Sequence, residues 1–293
     1  MDNRSEIRDF LTSRRARITP ERAGLTSYGS RRVPGLRRAE VAQLAGVSVE
    51  YYSRLERGNL TGVSDSVLDA LARALHLDEA ERAHLYDLAR TAGPAARNRR
   101  RPAPQRVRPN VQRLLDAMTE APAVVMNGRA DVLAANQLGR ALFAPVFAGP
   151  ARPPNFARFN FLDPRARELW ADWNRAADDT VALLHAQAGR DPYDKTLTDL
   201  IGELSTRSEE FRTRWAAHDV RLHRTGIKHF RHPVVGELHL TFEVLELGAD
   251  DGLSVVAYGT EPGSASEDGL RLLASWSATQ NQDAGTDAIN QSR

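Results

Sequence analysis

The chain has 293 residues, 40 basic and 38 acidic side chains, 41% hydrophobic residues and no cysteine. That length accommodates two ordinary domains with packed cores, and the composition excludes a disordered polymer. No window approaches the ~18 apolar residues of a membrane-spanning helix, and the missing cysteines exclude disulfides, thiol catalysis, iron–sulfur clusters and Cys-ligated zinc. Met1–Glu6 leads into no apolar stretch of the signal-peptide kind, so the cytoplasm is the expected location.

The two halves differ in charge. Residues 1–109 hold 21 basic and 13 acidic side chains, and residues 110–293 hold 19 and 25. A basic half joined to an acidic one points to a polyanion partner for the first half only. Residues 93–109 lack apolar periodicity and combine prolines with arginines, which is a linker composition. This divides the chain into a helical domain at 1–92, a basic Pro/Arg linker at 93–109, a second domain at 110–276 and a polar, frayed tail at 277–293. Arg97 and Arg99–Arg101 of the linker read as solubilising charge rather than phosphate contacts.

In the first domain Ile7, Phe10 and Leu11 predict a helix over 4–16. Residues 18–34 carry two prolines and two glycines and read as a loop or a broken helix. Next, Val41, Leu44 and Ala45 form a helical stripe that Gly46 ends. Val47 plugs the turn, Ser48 N-caps a second helix that buries Tyr52 and Leu55, and Gly58 ends it. Ala42 is small enough for the two helices to cross closely, and a pair joined by so tight a turn is a helix-turn-helix. Ser64 is expected to cap a helix carrying Val67, Leu68, Leu71 and Leu75. Asp78, with Glu81 three residues on, is expected to open another.

The pattern Glu-Val-Ala, Ala-Gly-Val-Ser, Arg-Leu-Glu-Arg-Gly within Leu36–Gly58 resembles the phage-repressor-like, xenobiotic-response-element class of transcriptional regulators. The stretches 31–38, 215–220 and 231–238 further resemble actinobacterial regulators whose second domain is an MmyB-like, PAS-like ligand-binding domain. The first resemblance implies that the second helix enters the major groove of double-stranded DNA. Carried over by position, Ser48, Val49, Glu50, Tyr51 and Arg54 then face the bases, with Glu50 suited to cytosine, Arg54 to guanine and Val49 to a thymine methyl. Arg37 and Arg38 open the preceding helix and are placed to hold phosphate, with Arg31 and Arg32 as further candidates. The resemblance also implies that Glu56 forms a structural ion pair with Arg15 or Arg14 and avoids DNA. A homodimer on an inverted-repeat operator follows from the same class.

In the second domain Val111, Leu114, Leu115 and Met118 predict a helix. Residues 123–126 and 131–134 flank Asn127-Gly128, a hairpin turn signal. A long helix is expected from Pro164 to about Ala188, followed by helices around Leu197–Leu204 and Phe211–Trp215. Strand-like runs follow at 227–232, 236–247 and 253–259. This order fits an α+β domain, an antiparallel sheet with helices over one face; the PAS-like label comes from the resemblance alone. The resemblance also implies an apolar, fatty-acid-like effector. Its candidate contacts are the aromatics Phe143, Phe159, Trp170, Trp173, Trp215 and Phe242. The cation for a carboxylate head group is left open among His218, Arg221, His223 and Arg231.

Five histidines lie at 218–239, yet His229 and His232 are three apart in a strand and point to opposite faces, which speaks against a shared metal. No phosphate-loop, nucleophile-elbow or zinc-protease motif is present, so neither an enzyme nor a resident cofactor is expected. The alternative to a ligand-responsive regulator is a constitutive DNA-binding protein whose second domain only dimerises or binds a protein partner.

Overall fold

The computed structural model describes residues 3–25, 33, 35–93, 105–217 and 224–290, with side chains up to residue 280. By contacts the chain forms two units. One is Met1–Pro102 with Val181–Leu222; the other is Ala103–Thr180 with His223–Arg293.

In the first unit, α1 (Asn3–Arg17), α2 (Arg38–Ala45), α3 (Val49–Glu56), α4 (Asp65–Ala74) and α5 (Glu79–Thr91) surround one core. Ile7, Phe10, Leu11, Leu36, Tyr52 and Leu55 are its fully buried heart. The local signals operate largely as expected. The Ser48 hydroxyl accepts from the Tyr51 amide at 3.1 Å. Asp78 and Glu81 form a reciprocal capping box at 2.9 and 3.2 Å. Ser64 does occupy the N-cap of α4, but its hydroxyl bonds Ser66 instead of capping.

Residues 181–217 lie in this same unit, although chain order groups them with the second domain. They comprise the later part of α11 (Trp173–Arg190), then α12 (Lys195–Arg207) and α13 (Glu209–Ala216). His185 bonds Glu6 of α1 at 3.0 Å through Nδ1 and the Trp215 carbonyl at 3.1 Å through Nε2. Thr91 donates to the Gly189 carbonyl at 3.3 Å. Periodicity had marked the buried face of these helices; it carries no information on which partner covers that face.

The second unit opens with α6 (Pro109–Ala117). Among the described residues its strands β1 (Ala123–Asn127), β2 (Val132–Ala135), β3 (Thr225–His232), β4 (Gly236–Glu246) and β5 (Leu253–Gly259) form one antiparallel sheet in the order β2-β1-β5-β4-β3. Between β2 and α11 come α7 (Gln137–Leu142), α8 (Ala144–Phe147), α9 (Phe156–Leu162) and α10 (Arg165–Leu169), and α14 (Ala265–Asn290) follows β5.

The architecture is therefore an all-helical region and an α+β region with an antiparallel sheet, and four details depart from expectation. First, helices do not keep to one face. Val111 and Leu115 of α6 pack on Ala123, Val125, Ala134 and Val255, the sheet side opposite that of Phe143 and Tyr258. Second, the hairpin turn is not a two-residue Asn-Gly turn. It spans Asn127–Asp131, with the Asn127 side chain accepting from the amides of Arg129 and Asp131, and Ala130 takes the positive φ of 63°. Third, the helix expected from Pro164 to Ala188 breaks after Leu169: the Ala171 amide donates to the His229 carbonyl at 3.0 Å, and Trp170 pairs with Phe230 of β3. Fourth, α14 continues to Asn290, through the stretch read as a frayed tail.

Candidate nucleic-acid interface and ligand-binding core

Gly46 sits at φ +67°, so the α2–α3 turn uses a conformation that most residues resist, and the Val47 amide closes it on the Ala42 carbonyl at 3.0 Å. With Tyr52 and Leu55 fully buried, the opposite side of α3 is fixed outward. Val49 is 40% exposed, Ser48, Glu50 and Arg54 are exposed, and Tyr51 is half-buried. The Arg54 guanidinium lies over the Tyr51 ring, 4.8 Å from its centroid, so the two side chains form one surface.

Glu56 lies on the inner side, 1% exposed. It accepts from Arg15 Nε at 2.6 Å, and Arg15 also donates to the Leu36 carbonyl at 2.8 Å. A second ion pair joins Glu56 to Arg38 Nε. Of the two expected partners, Arg15 is the one used, and Arg14 pairs with Glu81 at 3.1 Å. The Arg38 guanidinium, bonded to Glu56, is held further above its already high ordinary value, and its side chain remains 53% exposed. Arg37 is exposed, and its amide donates to Glu40 at 2.6 Å as α2 begins. Arg31, Arg32, Arg97 and Arg99–Arg101 lie outside the described residues.

In the second unit the aromatic side chains converge. Phe143 is fully buried, with its ring centroid 5.0 Å from Phe156, 5.5 Å from Tyr258, 5.9 Å from Phe230 and 6.2 Å from Trp170. Phe242 lies 6.2 Å from Tyr258, while Trp173 packs 6.0 Å from Phe161 and Phe159 is buried in α9. Asn160 ties the tryptophans down, its side-chain oxygen accepting from Trp170 Nε1 and its carbonyl from Trp173 Nε1, each at 2.8 Å. Trp215 is not part of this cluster. It belongs to the first unit, stacked on His185 at 3.7 Å and on Phe211 at 5.5 Å. His218, Arg221 and His223 lie outside the described residues. Arg231 is exposed on β3, facing away from the rings that Phe230 joins.

Phe156 belongs to the aromatic group that the sequence marks in this domain; sequence reasoning passed over Phe230 and Tyr258, which complete the cluster, and Lys228, whose ammonium sits 5.9 Å from the Trp170 and 5.3 Å from the Phe242 ring centroids. Their signal was the strand alternation: Lys228, Phe230 and His232 share one face of β3. His229 is exposed on the other face, while His232 is buried with Nε2 on the Ala141 carbonyl at 3.1 Å. Among the described residues, no group of three or more His, Asp or Glu is placed to hold a metal ion, and no helix is long and apolar enough to cross a membrane.

An exposed α3 face braced by an α1–α2–α3 ion-pair network is the arrangement of a helix-turn-helix, and an α+β unit follows it; with the family models that match the chain, this is a helix-turn-helix transcription regulator with an attached ligand-binding domain. A family model described as a helix-turn-helix domain matches residues 6–85. A second, described as MmyB-like transcription regulator ligand binding domain, matches residues 107–273, more than half of the chain, and the protein belongs to that family. A search of curated proteins finds no match to it.

Proposed function

We propose that this DNA-binding regulator reads an inverted-repeat operator as a homodimer, through Ser48, Val49, Glu50, Tyr51 and Arg54 at base edges and Arg37 and Arg38 at phosphates. The single observation that carries the reading is the orientation of α3: Tyr52 and Leu55 are buried, which leaves Val49, Glu50 and Arg54 outward. A guanidinium free to fork onto a guanine is the usual means of base discrimination in the major groove. The test uses a duplex selected from a random pool by the protein itself. Arg54→Ala is expected to cost about 1–3 kcal/mol and to relax one base position, with two chains per duplex by light scattering. An Arg54→Ala variant that keeps wild-type affinity and preference overturns the assignment.

The second domain, in the same reading, senses an apolar, fatty-acid-like effector against Phe143, Phe159, Trp170, Trp173 and Phe242. Support comes from the concentration of large apolar rings inside the domain of the ligand-binding family. One observation favours the second reading, a domain that only dimerises or binds protein: the rings touch one another as a filled core does. Thermal shift against fatty acids separates the two. A raised melting temperature supports sensing; no shift across the panel leaves the second reading.

A further inference from the structure

The function proposed above gives no part to the histidines of β3 and β4, yet two of them meet. His229 of β3 stands directly opposite His239 of β4, with ring centroids 4.3 Å apart and ring planes inclined at 58°. Both are exposed. The His229 carbonyl points away from β4 and accepts from the Ala171 amide at 3.0 Å. The His239 amide points away from β3 and donates to the Ser266 hydroxyl at 2.9 Å. The two residues therefore form a non-hydrogen-bonded pair, the kind whose side chains approach most closely across an antiparallel ladder.

Among the described residues no hydrogen bond occupies a ring nitrogen of His229 or His239. His232 differs: its Nε2 donates to the Ala141 carbonyl at 3.1 Å and its Nδ1 accepts from the Val234 amide at 3.3 Å. On the outer face the pair is flanked by Ile227 and Thr241 on one side and by Arg231 and Glu237 on the other. An aromatic pair in that place would stabilise the sheet at every pH, whereas two imidazoles face to face repel once both are protonated. What two neutral imidazoles offer instead is a pair of nitrogen donors of the kind that suits copper, nickel and zinc. With metal–nitrogen bonds of ~2.0–2.1 Å meeting at a right angle, two imidazoles on one ion hold their ring centroids roughly 4.5 Å apart. The observed separation is close to that, and the right angle is the one found in square-planar and tetragonal copper(II) and nickel(II) sites.

We propose that His229 and His239 form a binding site for one divalent transition-metal ion per chain, of the copper or nickel kind, with water on the remaining positions. Bound there, the ion clamps the outer strand β3 to β4. The site is independent of the effector and operator readings. Spacing along the chain hides it, because the register of the two strands across the turn at 233–235 is what brings the rings together.

The test is calorimetric titration of the full chain, free of any affinity tag, with nickel(II) and with magnesium(II). One nickel ion per chain is expected, and no magnesium, which prefers oxygen donors. His229→Gln and His239→Gln are each expected to weaken nickel binding by about tenfold or more, since neither imidazole then holds the ion at high effective concentration for the other. The double variant should lose little beyond either single one, as partners in one site do. His76→Asn, which removes an exposed histidine elsewhere, should leave binding unchanged. Electron paramagnetic resonance of the copper(II)-loaded wild type should show two bound nitrogens, a readout that needs no variant. Absence of nickel binding, wild-type affinity in either single variant, or a copper spectrum with a single nitrogen overturns the site.

Discussion

The Glu56 carboxylate is bound from two sides, by Arg15 from α1 and Arg38 from α2, while being itself the last residue of α3. One side chain thus holds three helices in register, and its removal leaves Arg15, 13% exposed, without its carboxylate. Losing one member of a fully buried ion pair costs ~3–5 kcal/mol; with Arg38 half-exposed, Glu56→Ala is expected to cost about 2–3 kcal/mol. Denaturant unfolding measures it, and a loss under about 0.5 kcal/mol contradicts the bracing role. The family resemblance named Arg15 or Arg14 as the partner. The choice was not legible because adjacent residues on a helix point ~100° apart. Burial of Ile7, Phe10 and Leu11 is what turns Arg15 toward Glu56 and Arg14 toward Glu81.

At the scale of elements, two glycines close the helices of the helix-turn-helix, α2 and α3, for different reasons. Gly46 has φ +67° and open space around its missing Cβ, so Gly46→Ala is expected to cost only the backbone strain, about 1–2 kcal/mol. Gly58 has φ +93°, and a Cβ there would stand 2.4 Å from the Arg4 carbonyl oxygen. Gly58→Ala therefore adds a clash with α1 to the same strain and is expected to cost more than about 3 kcal/mol. Thermal unfolding of the two variants ranks them, and the reverse order refutes the account. His232 links β3 to α7 as a buried neutral ring; burial pushes its pKa below the ordinary histidine value, against the pull of the Ala141 carbonyl. The unfolded chain then binds a proton that the folded one refuses. The stability owed to this ring is complete above the ordinary value near ~6.5 and is lost as pH falls through that value toward the folded one. Between pH 7 and 5 the wild type should lose more melting temperature than His232→Gln, and equal losses count against it. Caps and turns such as Ser48, Asp78 and Gly46 were legible because their chemistry is local. The break at Trp170 was not: a helical pattern runs through it, and it is the distant Phe230 and His229 that draw the chain out of the helix.

Over the whole molecule the basic surplus lies in residues 1–109, and its effect is read in salt. In the proposed dimer, Arg37 and Arg38 on phosphate in each of two chains would give four contacts, hence an expected slope of log K against log salt of about −4. Arg37→Ala should flatten it by about 2 in the dimer, and a salt-independent affinity removes the DNA reading. The sheet bears on how two such chains meet. β3 and β2 are its outer strands, and unpaired outer strands invite strand-to-strand addition. Here each margin is stoppered. Trp170 and Ala171 fasten on Phe230 and His229 in mid-run, and at the other margin Asn155 bridges Asp131 while the Pro154 carbonyl takes the Val132 amide at 2.7 Å. Neither rim offers an uninterrupted row of amides and carbonyls for another chain to zip onto. Growth of the sheet by strand addition, the first step toward a fibril, is thereby disfavoured at both margins.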